Sequence, residues 1–300
     1  MPRRVVPQAV ARIVHVLSSF GVGGQERVAL DLAIGQQARG HDVAVVSLAG
    51  GPDGPLADEF AAAGIVTAQV PRRDGLDPLL TAKLARWLRA HRTDVVHTHN
   101  PLPLIYGAPA ARLVGAIAIH TKHGRNPGGR AHRLARRAAA ELTSAFVAVS
   151  DVTASQARQL GDCAAHKVHV IPNGIRLERF APSAKLRAEQ REALGIPDDA
   201  WVVGTVGRLD EFKNQVLLVR ALAPLLSRRL QLVIVGDGPA RGDVEAAVAA
   251  LPDPRYAHVL GRRMDVDQLM PAFDVFALPS RSEGLPLVLP EAMAWCATAA

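Results

Sequence analysis

Arg12-Ile13-Val14-His15-Val16-Leu17-Ser18-Ser19-Phe20-Gly21-Val22-Gly23-Gly24-Gln25-Glu26 decides how the rest of the chain is read. Its first six residues, mostly apolar and β-branched, predict a buried strand. The glycines predict a tight turn, and Gln25 to Arg39, closed by Gly40, predicts a helix. Strand, glycine turn and helix in that order open a βαβ unit. The pattern recurs in strands at Asp42 to Leu48, Asp94 to Thr98, Ala116 to Thr121, Ala145 to Ser150 and Val168 to Ile171. Helices are expected at Leu76 to Ala90, Arg130 to Glu141, and Val152 to Leu160 before Gly161. Short strands alternating with helical lengths specify an α/β domain with a parallel sheet.

A polar, proline-containing stretch, Pro172 to Asp199, reads as a linker. Strands return at Trp201 to Val206, Gln231 to Val235, Tyr256 to Leu260 and Asp274 to Leu278, so the expected domains are 1–180 and 181–300. The architecture repeats without the fixed period of a solenoid. Three hundred residues, 49% of them hydrophobic, supply two cores and exclude a disordered or fibrous chain. Two cysteines, Cys163 and Cys296, make neither a disulfide framework nor a zinc knuckle, which points to a reducing, cytoplasmic compartment. Pro7, Gln8 and Arg12 break the N-terminal apolar stretch before a signal peptide develops, and no window reaches the roughly 18 apolar residues of a membrane span. The net charge of +7 favours anionic partners. Aromatics at 4%, with no stacking signature among the basic residues, argue against nucleic acid.

Ligands of open α/β sheets bind beyond the carboxyl ends of the strands, so chemistry is sought in the loops there. Gly23 and Gly24 let backbone approach a ligand at a helix N-terminus that favours an anion. A packing turn explains them as well. A dinucleotide site is discounted because Ser47-Leu48-Ala49-Gly50 stands where a ribose-binding carboxylate would end the second strand. Thr121-Lys122-His123-Gly124-Arg125 carries a histidine suited to bond a polar substrate, or merely to sit satisfied in the structure. His97 and His99 share a strand face, but with no third ligand nearby a structural role is preferred to a metal site.

In the second domain, Gly207-Arg208-Leu209-Asp210-Glu211-Phe212-Lys213 places two cations where a diphosphate could be clamped. Gly236-Asp237-Gly238-Pro239 reads equally well as a turn. The most informative stretch is Pro279-Ser280-Arg281-Ser282-Glu283-Gly284-Leu285-Pro286, followed by Glu291. It offers two carboxylates and the amides of Gly284, Leu285 and Leu287 at a helix entry. A helical path would hold the carboxylates about 12 Å apart, beyond the roughly 5 to 9.5 Å of a hydrolytic pair. They would therefore serve two ends of one elongated ligand, with sugar, diphosphate and ribose along its length. Asp265-Val266-Asp267 matches a metal-holding pattern but is read as a helix cap.

The Gly-Gly-Gln-Glu turn, the Thr-Lys-His-Gly loop, Val170-Ile171-Pro172-Asn173-Gly174-Ile175, Gly207-Arg208 with Lys213, and Glu283 to Glu291 together resemble glycosyltransferase family 4. The resemblance implies a GT-B fold, two Rossmann-like domains facing across a cleft. It also implies a retaining, metal-independent hexosyl transfer from a UDP- or GDP-linked sugar to a glycan or lipid-linked acceptor, as in cell-surface polysaccharide or glycolipid biosynthesis. No other cofactor is implied. By motif matching, Arg208 and Lys213 would neutralise the diphosphate, Glu283 would contact sugar hydroxyls, Glu291 would hold the ribose, His123 would face the transferred sugar, and Gly24 would bring an amide toward the phosphates. A phosphate oxygen would accept the acceptor's proton. The family continues beyond the helix carrying Glu291, so the second domain reads as truncated at Ala300, and Trp295-Cys296-Ala297-Thr298-Ala299-Ala300 lacks the family's Gly-x-Pro turn. Two rival readings are a non-catalytic scaffold on the same fold and a sugar-nucleotide epimerase.

Lys122, Arg125, Arg130, Arg133, Arg136 and Arg137 crowd one segment without an acid among them. The first reading is a solvated basic face, and the alternative is a face that docks peripherally on the anionic inner face of the cytoplasmic membrane.

Overall fold

The computed structural model describes residues 10–50, 54–73, 75, 77–124, 128–180 and 182–296. The chain divides into two compact units, Met1–Gly174 and Ile175–Ala300. Of the residues used in the sequence reading, Pro7, Gln8, Leu76, Arg125 and Ala297 to Ala300 lie outside the described residues, as does the side chain of Cys296.

In the first unit β1 (Arg12–Leu17) is buried from Ile13 onward. It lies parallel to β2 (Asp42–Ser47) and to β4 (Val95–His99). With β3 (Val66–Gln69), β5 (Ile117–Lys122), β6 (Ala145–Ala148) and β7 (Val168–Val170) it completes a seven-stranded parallel sheet, order β3-β2-β1-β4-β5-β6-β7. Parallel strands are covered on both faces, which is why β1 and β2 read as nearly continuous Val and Ile. On one face α1 (Gly24–Gln37) and α2 (Leu56–Ala62) bring Ala29, Leu30, Ala33, Leu56 and Phe60 against Ile13 and Leu17. On the other, α3 (Leu80–Ala90), α4 (Pro101–Val114), α5 (Arg130–Glu141) and α6 (Asp151–Leu160) cover Val14, Val16 and Val96. Strand alternation thus sends Val14 and Val96 to one face and His15, His97 and His99 to the other.

The sequence hides α4 behind three prolines. Pro101 occupies the first helical position, where no amide partner is needed, and Gly115 closes the helix in the left-handed region at φ 76°. Gly107 lets the helix lie against β4, because a side chain there would run into Thr98. By contrast, α6 has the caps expected of it, Ser150 bonding the amide of Thr153 and Gly161 left-handed.

The second unit begins with a correction. Much of the stretch read as a linker is α7 (Ala184–Leu194), capped by Ser183. Its anchor is an arginine rather than an apolar stripe, and so the hydrophobic pattern is silent. Arg191, fully buried, donates to the carbonyls of Ala272, Asp198 and Ala200 and to the Asp274 carboxylate, 2.6 Å away. Asp274 also accepts from Arg187 and from the amide of Val202, so the charge is fully paired. Then follow β8 (Trp201–Val206), α8 (Gln215–Leu222), β9 (Leu230–Val235), α9 (Arg241–Ala249), β10 (Ala257–Val259), α10 (Val266–Leu269), β11 (Val275–Phe276) and α11 (Val288–Cys296). The four strands pair in parallel, order β10-β9-β8-β11.

Candidate active site

Strand order locates the sites. In the first sheet the chain winds outward from β1 through β2 to β3, then restarts on the other side at β4. In the second it winds from β8 through β9 to β10 and returns beside β8 at β11. Loops leaving the strands on either side of such a reversal diverge, and the crevice between them is where α/β sheets take ligands.

The reversal in the second unit joins the loop after β8 to the loop after β11. Lys213 Nζ donates to Glu283 Oε1 at 2.6 Å, with each side chain about a fifth exposed at 22% and 23%. These are two residues seventy apart in sequence that motif matching assigns to one ligand. The loops are braced around them. Asp210 accepts from the amide of Lys213, Gln215 donates to the carbonyl of Arg208, and the amide of Arg281 donates to the carbonyl of Phe212 at 2.8 Å. Arg208 is 70% exposed, and its nearest acid is Asp210 at 3.8 Å. A water-facing guanidinium on the same loop as a paired ammonium can receive an anion without first giving up a buried partner.

Gly236 and Gly238 have a packing explanation. A Cβ on Gly236 would overlap the carbonyl of Gly207, and one on Gly238 the carbonyl of Leu209, so the loop after β9 buttresses the loop carrying Arg208.

The helix entry needs correcting. α11 starts at Val288, so Gly284 and Leu285 precede it in the loop and Leu287 occupies the position just before the first helical residue. The rise per residue of a helix therefore does not measure the distance from Glu283 to Glu291. Glu291 lies in the first turn and is buried, with its amide bonded to the carbonyl of Leu287. Pro290 is the third helical residue, where the amide it lacks would have had no helical acceptor.

At the reversal in the first unit, Gly23 caps α1 in extended conformation and Gly24 opens it. The amides there are not bare. Glu26, buried, folds its carboxylate back so that its own backbone N–H donates to it, and the Gln25 side chain donates to it as well. Burial nevertheless pushes the Glu26 carboxyl upward. Asn100, left-handed at φ 66°, donates from its side chain to Gln25, which ties the loop after β4 to the loop after β1. Glu26, Gln25 and Asn100 escape the sequence reading. The signal was the acid within Gly-Gly-Gln-Glu, at the third helical position where acids cap.

His123, just past β5, is not alone either. Its Nε2 lies 3.0 Å from His99 Nδ1, His99 Nε2 lies 2.9 Å from His15 Nδ1, and His15 Nε2 lies 2.8 Å from Gln36 Oε1. Register makes this possible, since His15 pairs with His97 and His99 with Thr121 across parallel strands. Burial lowers every ring: His15 and His123 to about 4, and His97 and His99 well below their ordinary value. All are therefore neutral near pH 7. His15 supplies the third potential ligand missing from the sequence reading, its ring nitrogen within 4.8 Å of those of His97 and His99. Both nitrogens of His15 and of His99 are already engaged in hydrogen bonds, as is His97 Nε2 with Thr121. A metal would have to break those bonds.

Asp265 makes no capping bond. It pairs bidentately with Arg263, while Asp267 lies 3.2 Å from Arg179, so arginines account for both acids.

The basic segment divides. Lys122 is buried and paired with Asp162, and Arg136 is buried beneath α5, so neither belongs to a surface patch. Arg125 lies outside the described residues. Arg130, Arg133 and Arg137 are exposed, at the spacing of one helix face, with Leu134, 62% exposed, among them. No helix among the described residues is long and apolar enough to cross a membrane.

Two parallel α/β units, each with a polar site at its chain reversal, define the class of the GT-B transferases, and similarity bears this out. Residues 22–179 match the family Glycosyltransferase Family 4, and residues 200–298 match Glycosyl transferases group 1. The chain is 30% identical over 296 residues to the putative glycosyltransferase EpsF of Bacillus subtilis, covering 94% of this chain and 77% of EpsF. It is 31% identical over 222 residues to a UDP-Gal:α-D-GlcNAc-diphosphoundecaprenol α-1,3-galactosyltransferase of Escherichia coli, covering 70% of this chain and 57% of that enzyme. Among solved structures, HepE of Anabaena in complex with UDP and glucose superposes with a TM-score of 0.81 at 25% identity, over 95% of this chain and 78% of HepE. The chain belongs to glycosyltransferase family 4 and has the GT-B fold, in a length shorter than these relatives.

Proposed function

We propose that the chain transfers a hexose, with retention of configuration and without a metal ion, from a UDP- or GDP-linked donor to a glycan or lipid-linked acceptor in cell-surface polysaccharide or glycolipid assembly. The observation that carries this reading is the Lys213–Glu283 pair at the β8/β11 reversal, with Arg208 exposed on the same loop as Lys213. UDP and glucose in HepE and the diphosphoundecaprenol-linked acceptor of the E. coli relative support the donor and acceptor classes.

Chemistry follows from charge. As the bond from the sugar's anomeric carbon to the diphosphate breaks, negative charge grows on the leaving oxygen and oxocarbenium character on the sugar. Lys213 exchanges Glu283 for phosphate and Arg208 joins it, while Glu283 is freed to accept hydrogen bonds from sugar hydroxyls. Fixed cations aimed at developing charge are the largest single contribution in such reactions. The acceptor oxygen bonds to the anomeric carbon on the face the diphosphate leaves, and its proton passes to a phosphate oxygen. Glu291 holds the ribose and the Gly284, Leu285 and Leu287 segment lies along the donor. Gly23 and Gly24, at the start of α1, form an anion-binding turn of the first unit, where the Gly24 amide is offered once the Glu26 carboxylate turns aside. Arg130, Arg133 and Arg137 dock the protein on anionic lipid at the cytoplasmic face, presenting it to a lipid-linked acceptor.

Incubation with UDP- and GDP-hexoses and lipid-linked or glycan acceptors tests the proposal. Expected are nucleoside diphosphate release, a product of unchanged anomeric configuration by NMR, and rates insensitive to EDTA. Glu283→Ala abolishes turnover and leaves nucleotide affinity nearly intact. An isomerised donor sugar would mean an epimerase, and nucleotide binding without turnover a scaffold.

A further inference from the structure

We infer that Gln36 sets the tautomer of His123 from three hydrogen bonds away, and so fixes which ring nitrogen His123 offers to a substrate hydroxyl. Gln36 Oε1 can only accept, so the proton in its 2.8 Å bond sits on His15 Nε2. A neutral imidazole carries one proton. His15 Nδ1 therefore accepts from His99 Nε2 at 2.9 Å, and His99 Nδ1, left with a lone pair, accepts from His123 Nε2 at 3.0 Å. The remaining nitrogen, His123 Nδ1, holds a lone pair and makes no bond to any described residue. Reversing any one ring would set two protons or two lone pairs face to face at these distances, so the three tautomers change together.

The surroundings keep the order. Burial holds the rings neutral, which the alternation requires, since one imidazolium would donate in both directions. His97 stacks on His99 with ring centroids 4.3 Å apart but spends its Nε2 on the Thr121 hydroxyl, which adapts to either role. His120 projects to the opposite face, bonded to Thr98. The ammonium of Lys122 is committed to Asp162. Gln36 is thus a positioning residue, and His123 presents an acceptor to a donor hydroxyl. That a substrate hydroxyl meets His123 at all rests on the transferase reading, whereas the order of tautomers does not.

The test separates the two. In the full chain labelled with ¹⁵N-histidine, long-range ¹H–¹⁵N spectra near pH 7.5, assigned by single His→Gln replacements, should show His15, His99 and His123 all protonated at Nε2. Gln36 is half-buried on α1, so Gln36→Met should leave circular dichroism and Tm close to wild type. It should nevertheless disperse His123 into mixed tautomers. A His123 protonated at Nδ1 in the wild type, or an unchanged tautomer in Gln36→Met, overturns the relay whatever the activity. If the chain transfers sugar, Gln36→Met should lower kcat about 10- to 100-fold with donor KM little changed, the scale known for outer partners that orient metal-bound histidines. An unaltered kcat despite a scrambled tautomer overturns the role in substrate binding.

Discussion

Replacing Lys213 with methionine keeps the bulk of the stem and removes one charge, and its effect can be worked from the ion pair. At 2.6 Å and an effective dielectric of about 20, the attraction between Lys213 and Glu283 is roughly 6 kcal/mol before desolvation. Desolvation and screening of two partly exposed groups reduce the net contribution to about 1 kcal/mol in the free protein. The bound donor changes the balance. Two phosphate charges arrive where Lys213 already has a partner, so Lys213→Met both removes a cation from the diphosphate and leaves the Glu283 carboxylate uncompensated beside it. Loss of one such group costs about 2.7–4 kcal/mol in the transition state, or roughly 10²–10³ in kcat.

Because the penalty has two parts, Glu283→Gln in the Lys213→Met background should cost less than the sum of the single changes, by about 1 kcal/mol of coupling. Initial rates of nucleotide release, with kcat and KM resolved for wild type, both singles and the double, make the measurement. A Lys213→Met enzyme within threefold of wild-type kcat/KM would refute the clamp. Strict additivity would refute the coupling.

Gly236→Ala should destabilise the second unit by about 2–4 kcal/mol, seen as a Tm lower by roughly 10 °C, because a methyl there overlaps the carbonyl of Gly207. Gly242→Ala, inside α9 with nothing within 4 Å of its Cβ position, should instead gain about 0.5–1 kcal/mol. Stability should fall as pH drops from about 6.5 toward 4. The folded state holds His15 and His123 at about 4, so below their ordinary 6.5 the unfolded chain binds the protons first. His15 alone accounts for about 3 kcal/mol of this loss, and a urea midpoint that stays level or rises on acidification would contradict it. Arg130, Arg133 and Arg137 changed together to Gln should weaken binding to anionic vesicles about 100-fold, at about 1 kcal/mol each. Arg136→Gln should lower Tm, since that side chain is buried. Co-sedimentation unchanged by the triple replacement would remove the lipid-docking role.

What the sequence discloses and what it hides divide along physical lines. Strands buried on both faces announce themselves by β-branched runs, and the left-handed glycines 161 and 195 close α6 and α7 as their residue type demands. α4 and α7 are quiet because prolines occupy the one and a buried arginine anchors the other. The basic segment could have been resolved from periodicity alone. Residues 130, 133, 134 and 137 share one face, whereas Arg136 falls with Ala139 and Ala140 on the buried one.

That Lys213 and Glu283 belong together was legible because both sit in loops of distinctive composition, and in the structure they meet. The histidine chain was not, for a specific reason. His15, His97 and His99 become neighbours only through the register of β1 against β4, and register is a property of the sheet rather than of any one strand. Beyond His97 and His99 sharing a strand face, the local hint was His15 among the apolar residues of Ile13 to Leu17. A buried polar side chain there must find partners or destabilise the sheet, and the partners available in this register lead ring by ring to the loop where substrate chemistry is expected. Core satisfaction and site construction are then one requirement: the bonds that keep His15 and His99 from being orphaned also orient His123.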